Sequence, residues 1–253
     1  MKKINFSIIS LFSFFILWEV LGRYINKGYI LPTPLNILKK IWILKEGLFF
    51  IHLPATLNIA VISLILTILL GLFLAISMDF SHIVYSCIHP LIITSQTIPI
   101  TALAPIFILW FGYSIWSKVV VAVIISFFPV TITIYNGLQN VEKDEINYFK
   151  SLKASKTQIF LKLKLPRALP NFFSALKMSI PLVLIGAAIG EWLGATSGLG
   201  YFSKRMMSQL DGAGVFAPIV IISLLAITLV QIITIFENII LHWRSKWKKY
   251  LLF

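Results

Sequence analysis

Nine Asp and Glu and four His are spread over 253 residues, and their spacing builds no reaction centre. Bond-breaking chemistry needs a nucleophile within reach of a base, two facing carboxylates, or a cluster of metal ligands. His82 and His89 stand seven apart without ligand spacing, and Cys87 has no second cysteine with which to form a disulfide. The chain has no G-x-x-x-x-G-K-[ST] phosphate loop, so it cannot bind ATP by that route. What remains is a few polar groups set in apolar sequence: Gln96, Thr97 and Glu191, with Asp79 and Glu237 near the ends of apolar runs. Such groups suit the binding and passage of a solute. They do not suit catalysis, and they form no proton relay.

The elements that must position these groups are membrane spans. The chain is 58% hydrophobic and 12% charged, with a mean hydropathy of +0.92, whereas a soluble domain carries about 25% charged residues. The apolar runs are long enough to cross hydrocarbon as helices, and the period-two segments of a barrel are missing. The expected fold is therefore all-α and integral to the membrane. About six transmembrane helices are expected, at 6–22, 56–78, 88–111, 117–138, 172–193 and 216–241. Pro90, Pro99 and Pro105 interrupt the third, which must face other helices to satisfy the carbonyls they free. Lys2 and Lys3 before an apolar run resemble a signal peptide, but without a small-residue cleavage site the run reads as a retained span.

A net charge of +13 would indicate nucleic acid in a soluble protein. Here it follows from basic cytoplasmic loops, and no nucleic-acid partner is expected. With both termini in the cytoplasm, 14 of the 22 Lys and Arg fall on that side, against five in the outer loop 23–55. Within that loop, 35–48 has the pattern of an interfacial helix. The chain divides into 1–55, a first span with its outer segment; 56–243, a core with a cytoplasmic loop at 139–171; and 244–253, a basic tail.

Glu191 lies near the outer end of the fifth span, among Gly186, Gly190 and Gly194, whose G-xxx-G steps allow another helix to approach closely. Two roles are open. Glu191 and Trp192 could line a gate at the axis of a symmetric dimer, or the carboxylate could accept hydrogen bonds from loop amides. Pro99, Pro105 and Pro129 could border a pathway where Gln96 and Thr97 offer hydrogen bonds to a solute, or serve packing alone.

The loop 139–171 carries acids before Lys150 and Lys153, the charge order a helix dipole favours. A second short helix is expected to begin at Ser155, where Ser155-x-x-Gln158 fits a capping box, and to stop at Pro166 and Pro170. The alternation at 161–165 suits a strand equally well. A basic loop against lipid headgroups is one reading. Exposed Tyr148, Phe149, Ile159 and Phe160 favour a protein-docking site.

Asn147-Tyr148-Phe149-Lys150-Ser151-Leu152-Lys153-Ala154, followed by Leu165-Pro166 and Ala168-Leu169-Pro170, resembles the loop motif of permease subunits of bacterial ATP-binding-cassette importers. That motif reads E-A-A, three residues, G, then an apolar run ending in L-P. Here Asn147 replaces the acid, Tyr148-Phe149 the alanine pair and Lys153 the glycine. Gln96-Thr97-Ile98-Pro99, Ala102-Leu103-Ala104-Pro105, Leu109-Trp110-Phe111-Gly112, Phe128-Pro129, Gly190-Glu191-Trp192-Leu193-Gly194-Ala195 and Ser197-Gly198-Leu199-Gly200-Tyr201 are similar to one branch of these permeases. That branch serves nitrate, taurine, alkanesulfonates and the pyrimidine precursor of thiamine.

The resemblance implies a type I importer permease fold in a bacterial cytoplasmic membrane and a homodimer. It also implies ATPase subunits that hold ATP and Mg, docked on Asn147, Tyr148, Phe149, Leu152, Lys153, Ala154, Ser155, Ile159, Phe160 and Pro166. An extracytoplasmic binding protein would deliver the solute, with the thiamine-precursor branch slightly favoured. The alternative is an ion-gradient-driven transporter or channel, which predicts inverted repeats and several intramembrane acids.

Overall fold

A computed structural model describes residues 6–242. Among the described residues all regular structure is helical. Helix α1 (Phe6–Ile25) leads through a Thr33-capped α2 (Pro34–Ile43) into a π-helical turn, Gly47–His52, that continues as α3 (Leu53–Phe80). Helices α4 (His82–Ser95) and α5 (Ile100–Phe111) precede α6 (Ile115–Gln139), and two short helices follow, α7 (Lys143–Ser151) and α8 (Lys156–Ile159). A second π turn, Phe160–Lys164, joins α8 to α9 (Leu165–Gly194). The chain closes with α10 (Leu199–Ser208) and α11 (Gly212–Ile240).

Among the described residues four continuous helices are long and apolar enough to cross a membrane: Gly47–Phe80, Ile115–Gln139, Lys156–Gly194 and Gly212–Ile240. The third expected span, 88–111, is instead two shorter apolar helices, α4 and α5, separated at 96–99. Pro99 has no N–H to continue α4 and occupies the extended N-cap of α5. The outer interfacial helix stops at Ile43 with Leu44 as its C-cap, and Gly47 and Leu48, expected to extend it, already belong to the turn that starts the second span.

Pro166 and Pro170 do not stop a helix. Residues 156–194 run on through the π turn, where Leu165 N donates to Phe160 O. Widening the turn just before Pro166 relieves the clash of its ring with the preceding turn. Pro54 follows the first π turn in the same position.

Helix α6 is the central post. Half of its apolar length is buried, whereas α11 buries almost none and presents Leu224, Ile227, Ile235 and Phe236 outward. Small residues set its contacts. A Cβ on Gly186 would fall 2.5 Å from Ala122 Cα and one on Gly190 2.8 Å from Lys118 Cα, so α9 and α6 touch backbone to backbone. Gly71 lets α3 approach Val130, and the hydroxyls of Thr67 and Ser126 share a 2.7 Å hydrogen bond between α3 and α6. The G-xxx-G stripe is thus filled by residues of the same chain.

Candidate functional site

The end of the bundle that carries α7 and α8 is built on local signals. Asp144 and Glu145 occupy the first turn of α7 and Lys150 its last. The helix ends in a Schellman arrangement, with Ala154 N donating to Phe149 O at 3.1 Å and Lys153 N to Lys150 O at 2.9 Å. Lys153 stands at φ +56°, the left-handed conformation that glycine adopts without strain. Ser155 and Gln158 then form the expected capping box of α8.

Along this element Tyr148 and Leu152 are 63% and 61% exposed. Asn147, Lys153 and Ser155 are also exposed, and Phe149 and Ala154 are half-buried. Pro166 lies exposed on the first turn of α9. Ile159 and Phe160, expected to face outward, are buried. The π turn directs Phe160 into a core with Ala75, Val130, Ile134 and Leu138, its ring centroid 5.0 Å from that of Phe80. Ion pairs brace the element: Arg167 with Glu145, and Lys164 with Asp79.

At the opposite end Glu191 is wholly buried. Its Oε1 accepts from Thr56 Oγ1 at 2.7 Å and its Oε2 from Gly200 N at 2.7 Å. Thr56 Oγ1 in turn accepts from Leu199 N at 2.8 Å, and His52 Nδ1 accepts from Gly198 N at 3.1 Å. Gly198, at φ +125°, lies so close to the carboxylate that a Cβ there would collide with it. Four backbone and side-chain donors thus converge on Glu191, Thr56 and His52, fixing the 195–199 loop and the start of α10 to α3 and α9.

The Gly200 amide on Glu191 is the kind of contact that one of the two readings of this residue requires. The glycines beside it pack on Ala122, Lys118 and the Tyr113 ring of the same chain, so the helix that approaches the G-xxx-G steps here is α6. His52, Thr56 and Lys118 were not singled out in the sequence. The available signal was His52 and Thr56 four residues apart, hence on one helix face.

A cavity of about 610 Å³ opens beside this joint, lined by Asn58, Tyr113, Lys118, Thr196 and Ser197 among others. Lys118 Nζ donates to the carbonyls of Tyr113 and Ser114 at 3.0 and 2.9 Å. A second cavity of about 370 Å³ has Trp192, Tyr201, Lys204 and Arg205 along its wall. Gln96, Thr97, Pro99 and Pro105 border neither; they lie exposed at and beyond the α4–α5 break.

A bundle of broken and continuous spans with an amphipathic helix pair projecting from one end is the architecture of an importer permease. The chain belongs to the family of binding-protein-dependent transport system inner membrane components, whose profile matches residues 67–241. It is a multi-pass inner membrane component and a non-catalytic subunit of an ATP-driven importer, a system that also comprises an ATPase and a binding protein.

Over 231 residues, 91% of this chain and 92% of the relative, it is 51% identical to the formylaminopyrimidine transport permease protein ThiX of Halalkalibacterium halodurans. It is 30% identical, over 92% of this chain and 85% of the relative, to the putative aliphatic sulfonates transport permease protein SsuC of Bacillus subtilis. A crystal structure of an amino acid ABC transporter with histidines superposes at a TM-score of 0.59 with 19% identity, covering 81% of this chain and 96% of that one. The MetNI methionine ABC transporter in an inward-facing form superposes at 0.57 with 20% identity, covering 80% and 96%. Both share the fold.

Proposed function

We propose that this permease imports a formylaminopyrimidine-type solute, a precursor of the thiamine pyrimidine, handed over by an extracytoplasmic binding protein. One observation carries the choice of solute: 51% identity over nine-tenths of both chains with a permease named for formylaminopyrimidine transport. The relative named for sulfonates is 30% identical.

In this reading α7 and α8 dock cytoplasmic ATPase subunits, which hold ATP and Mg, and both termini lie on the same side as the dock. The exposed Tyr148 and Leu152 support the docking role, since apolar side chains outside the hydrocarbon call for a cover. Residues 156–194 form one continuous helix, so a displacement at the dock reaches the far end of the bundle without a joint that could absorb it. ATP hydrolysis would then shift the population between inward- and outward-open states.

A homodimer is part of the proposal. The break at 96–99 interrupts two apolar helices with the exposed residues Gln96, Thr97 and Pro99. At membrane depth such a break needs a protein or water-filled surface opposite it, and a second copy across the pathway would supply both. Gln96, Thr97, Pro99 and Pro105 are accordingly proposed to line the pathway, with Trp192 at its outer rim.

The test is uptake in vesicles containing this permease with its ATPase and binding protein. ATP-dependent accumulation of labelled formylaminopyrimidine, resistant to excess taurine, is the expected result. Sulfonate or taurine uptake without pyrimidine uptake would overturn the assignment of solute and leave the importer class intact.

A further inference from the structure

The carboxylate of Asp79, one residue before the end of α3, is only 4% exposed. Its Oδ1 accepts from Lys164 Nζ at 2.5 Å and from Gln139 Nε2 at 2.6 Å. Gln139 is the last residue of α6 and Lys164 the last of the π turn that follows α8. A single buried oxygen therefore joins the ends of three elements at the root of the projecting helix pair.

A negative charge at a helix C-terminus opposes the helix dipole, and its burial removes it from water. Lys164 offsets both costs, so the carboxylate is stable there only while the π turn keeps the ammonium in place. Helix α3 has no direct chain connection to α7 or α8; α4, α5 and α6 intervene. Its contacts with that region include the apolar packing of Ala75 and Phe80 against Phe160 and its surroundings, and the Asp79 bonds. Apolar surfaces can slide past one another. A charge-assisted hydrogen bond fixes direction as well as distance.

We infer that Asp79 is a positioning residue of the transport cycle: it locks α3 and α6 to the π turn, so that motion of the docking helices turns α3, α6 and α9 together. This rests on the reading of α7 and α8 as the ATPase dock. Without the lock α9 would still be driven through its own backbone, while α3 would lag.

The experiment uses the complete importer in proteoliposomes and measures ATPase co-purification, ATP hydrolysis and solute accumulated per ATP. Asp79→Asn keeps the shape of the side chain and removes the charge. It is expected to leave assembly and hydrolysis intact and to lower solute per ATP by about tenfold, in the range of a conformational coupling energy. Lys164→Gln is expected to do the same, and the exchange Asp79→Lys with Lys164→Asp to restore the ratio.

A wild-type ratio in Asp79→Asn would overturn the inference. Loss of ATPase binding in that variant would also overturn it, making Asp79 a residue of the dock's own fold. Ala154→Asp serves as the separate control: if it still co-purified with the ATPase, the docking reading itself would fall.

Discussion

Glu191→Ala would leave Thr56 Oγ1 only its longer 3.3 Å bond to His52 O, and Gly200 N–H without its acceptor at a fully buried position. The expected loss is about 2–4 kcal/mol, seen as a lower unfolding temperature in mild detergent. Glu191→Gln should be milder, because its carbonyl can serve one donor while its NH2 faces the other. A gate residue would behave differently, changing transport without loss of stability. Lys153 is the reverse case, an ordinary residue held at φ +56°. The left-handed conformation costs a side-chain-bearing residue roughly 1–2 kcal/mol, and the extra chain entropy of glycine returns about half of that. Lys153→Gly should therefore slow amide exchange slightly through α7 and α8, as measured by hydrogen exchange.

Helices α6 and α9 meet where side chains are small, and no neighbouring backbone can move aside cheaply. Gly186→Val and Gly190→Val would each drive a branched side chain into the α6 backbone. Each should destabilise by about 1–3 kcal/mol or more, lowering yield and unfolding temperature alike. Between α2 and α11 an ion pair adds to the apolar packing of Ile41 against the cluster of Ala217 and Ile221. Asp211 caps α11 through Gly214 N and pairs with Lys40 at 2.6 Å. Burial alone would raise its carboxyl, but the Lys40 hydrogen bond and charge, together with the Gly214 amide, outweigh it and hold the group below the ordinary range. A depressed folded pKa means that this contribution is complete above the unfolded value near 3.8 and is lost as pH falls through the lower folded value. Unfolding temperature should drop on acidification below about pH 4, and the drop should shrink in Asp211→Asn.

For the whole importer, Ala154 is the informative position. It is half-buried at the break between α7 and α8, where the chain turns across the proposed docking face. Ala154→Asp adds a charge that an apolar contact would have to strip of water, at a cost of several kcal/mol. The variant should insert normally into the membrane and fail to co-purify with the ATPase. Normal co-purification would move the dock elsewhere on the molecule.

Composition and apolar run length by themselves determined that this is a helical membrane protein, because crossing hydrocarbon requires every backbone group to be paired within the segment. Local signals were equally legible: the capping box at Ser155 and the backbone demand at Lys153 depend only on neighbouring residues. The ordered motifs at 96–112 and 190–201 carried the family. Distant contacts were not legible. A proline reads as a helix stop until a π turn, held by packing on Phe80 and the Asp79 ion pair, carries the helix through Pro166. A glycine stripe beside an acid looks the same whether a second copy or the chain's own α6 fills it. Only the tertiary structure decided that α6 does, and that the carboxylate of Glu191 meets the hydroxyl of Thr56, 135 residues away along the chain, as well as the amide of Gly200, because burial and hydrogen-bond geometry belong to the packed bundle and not to any segment of it.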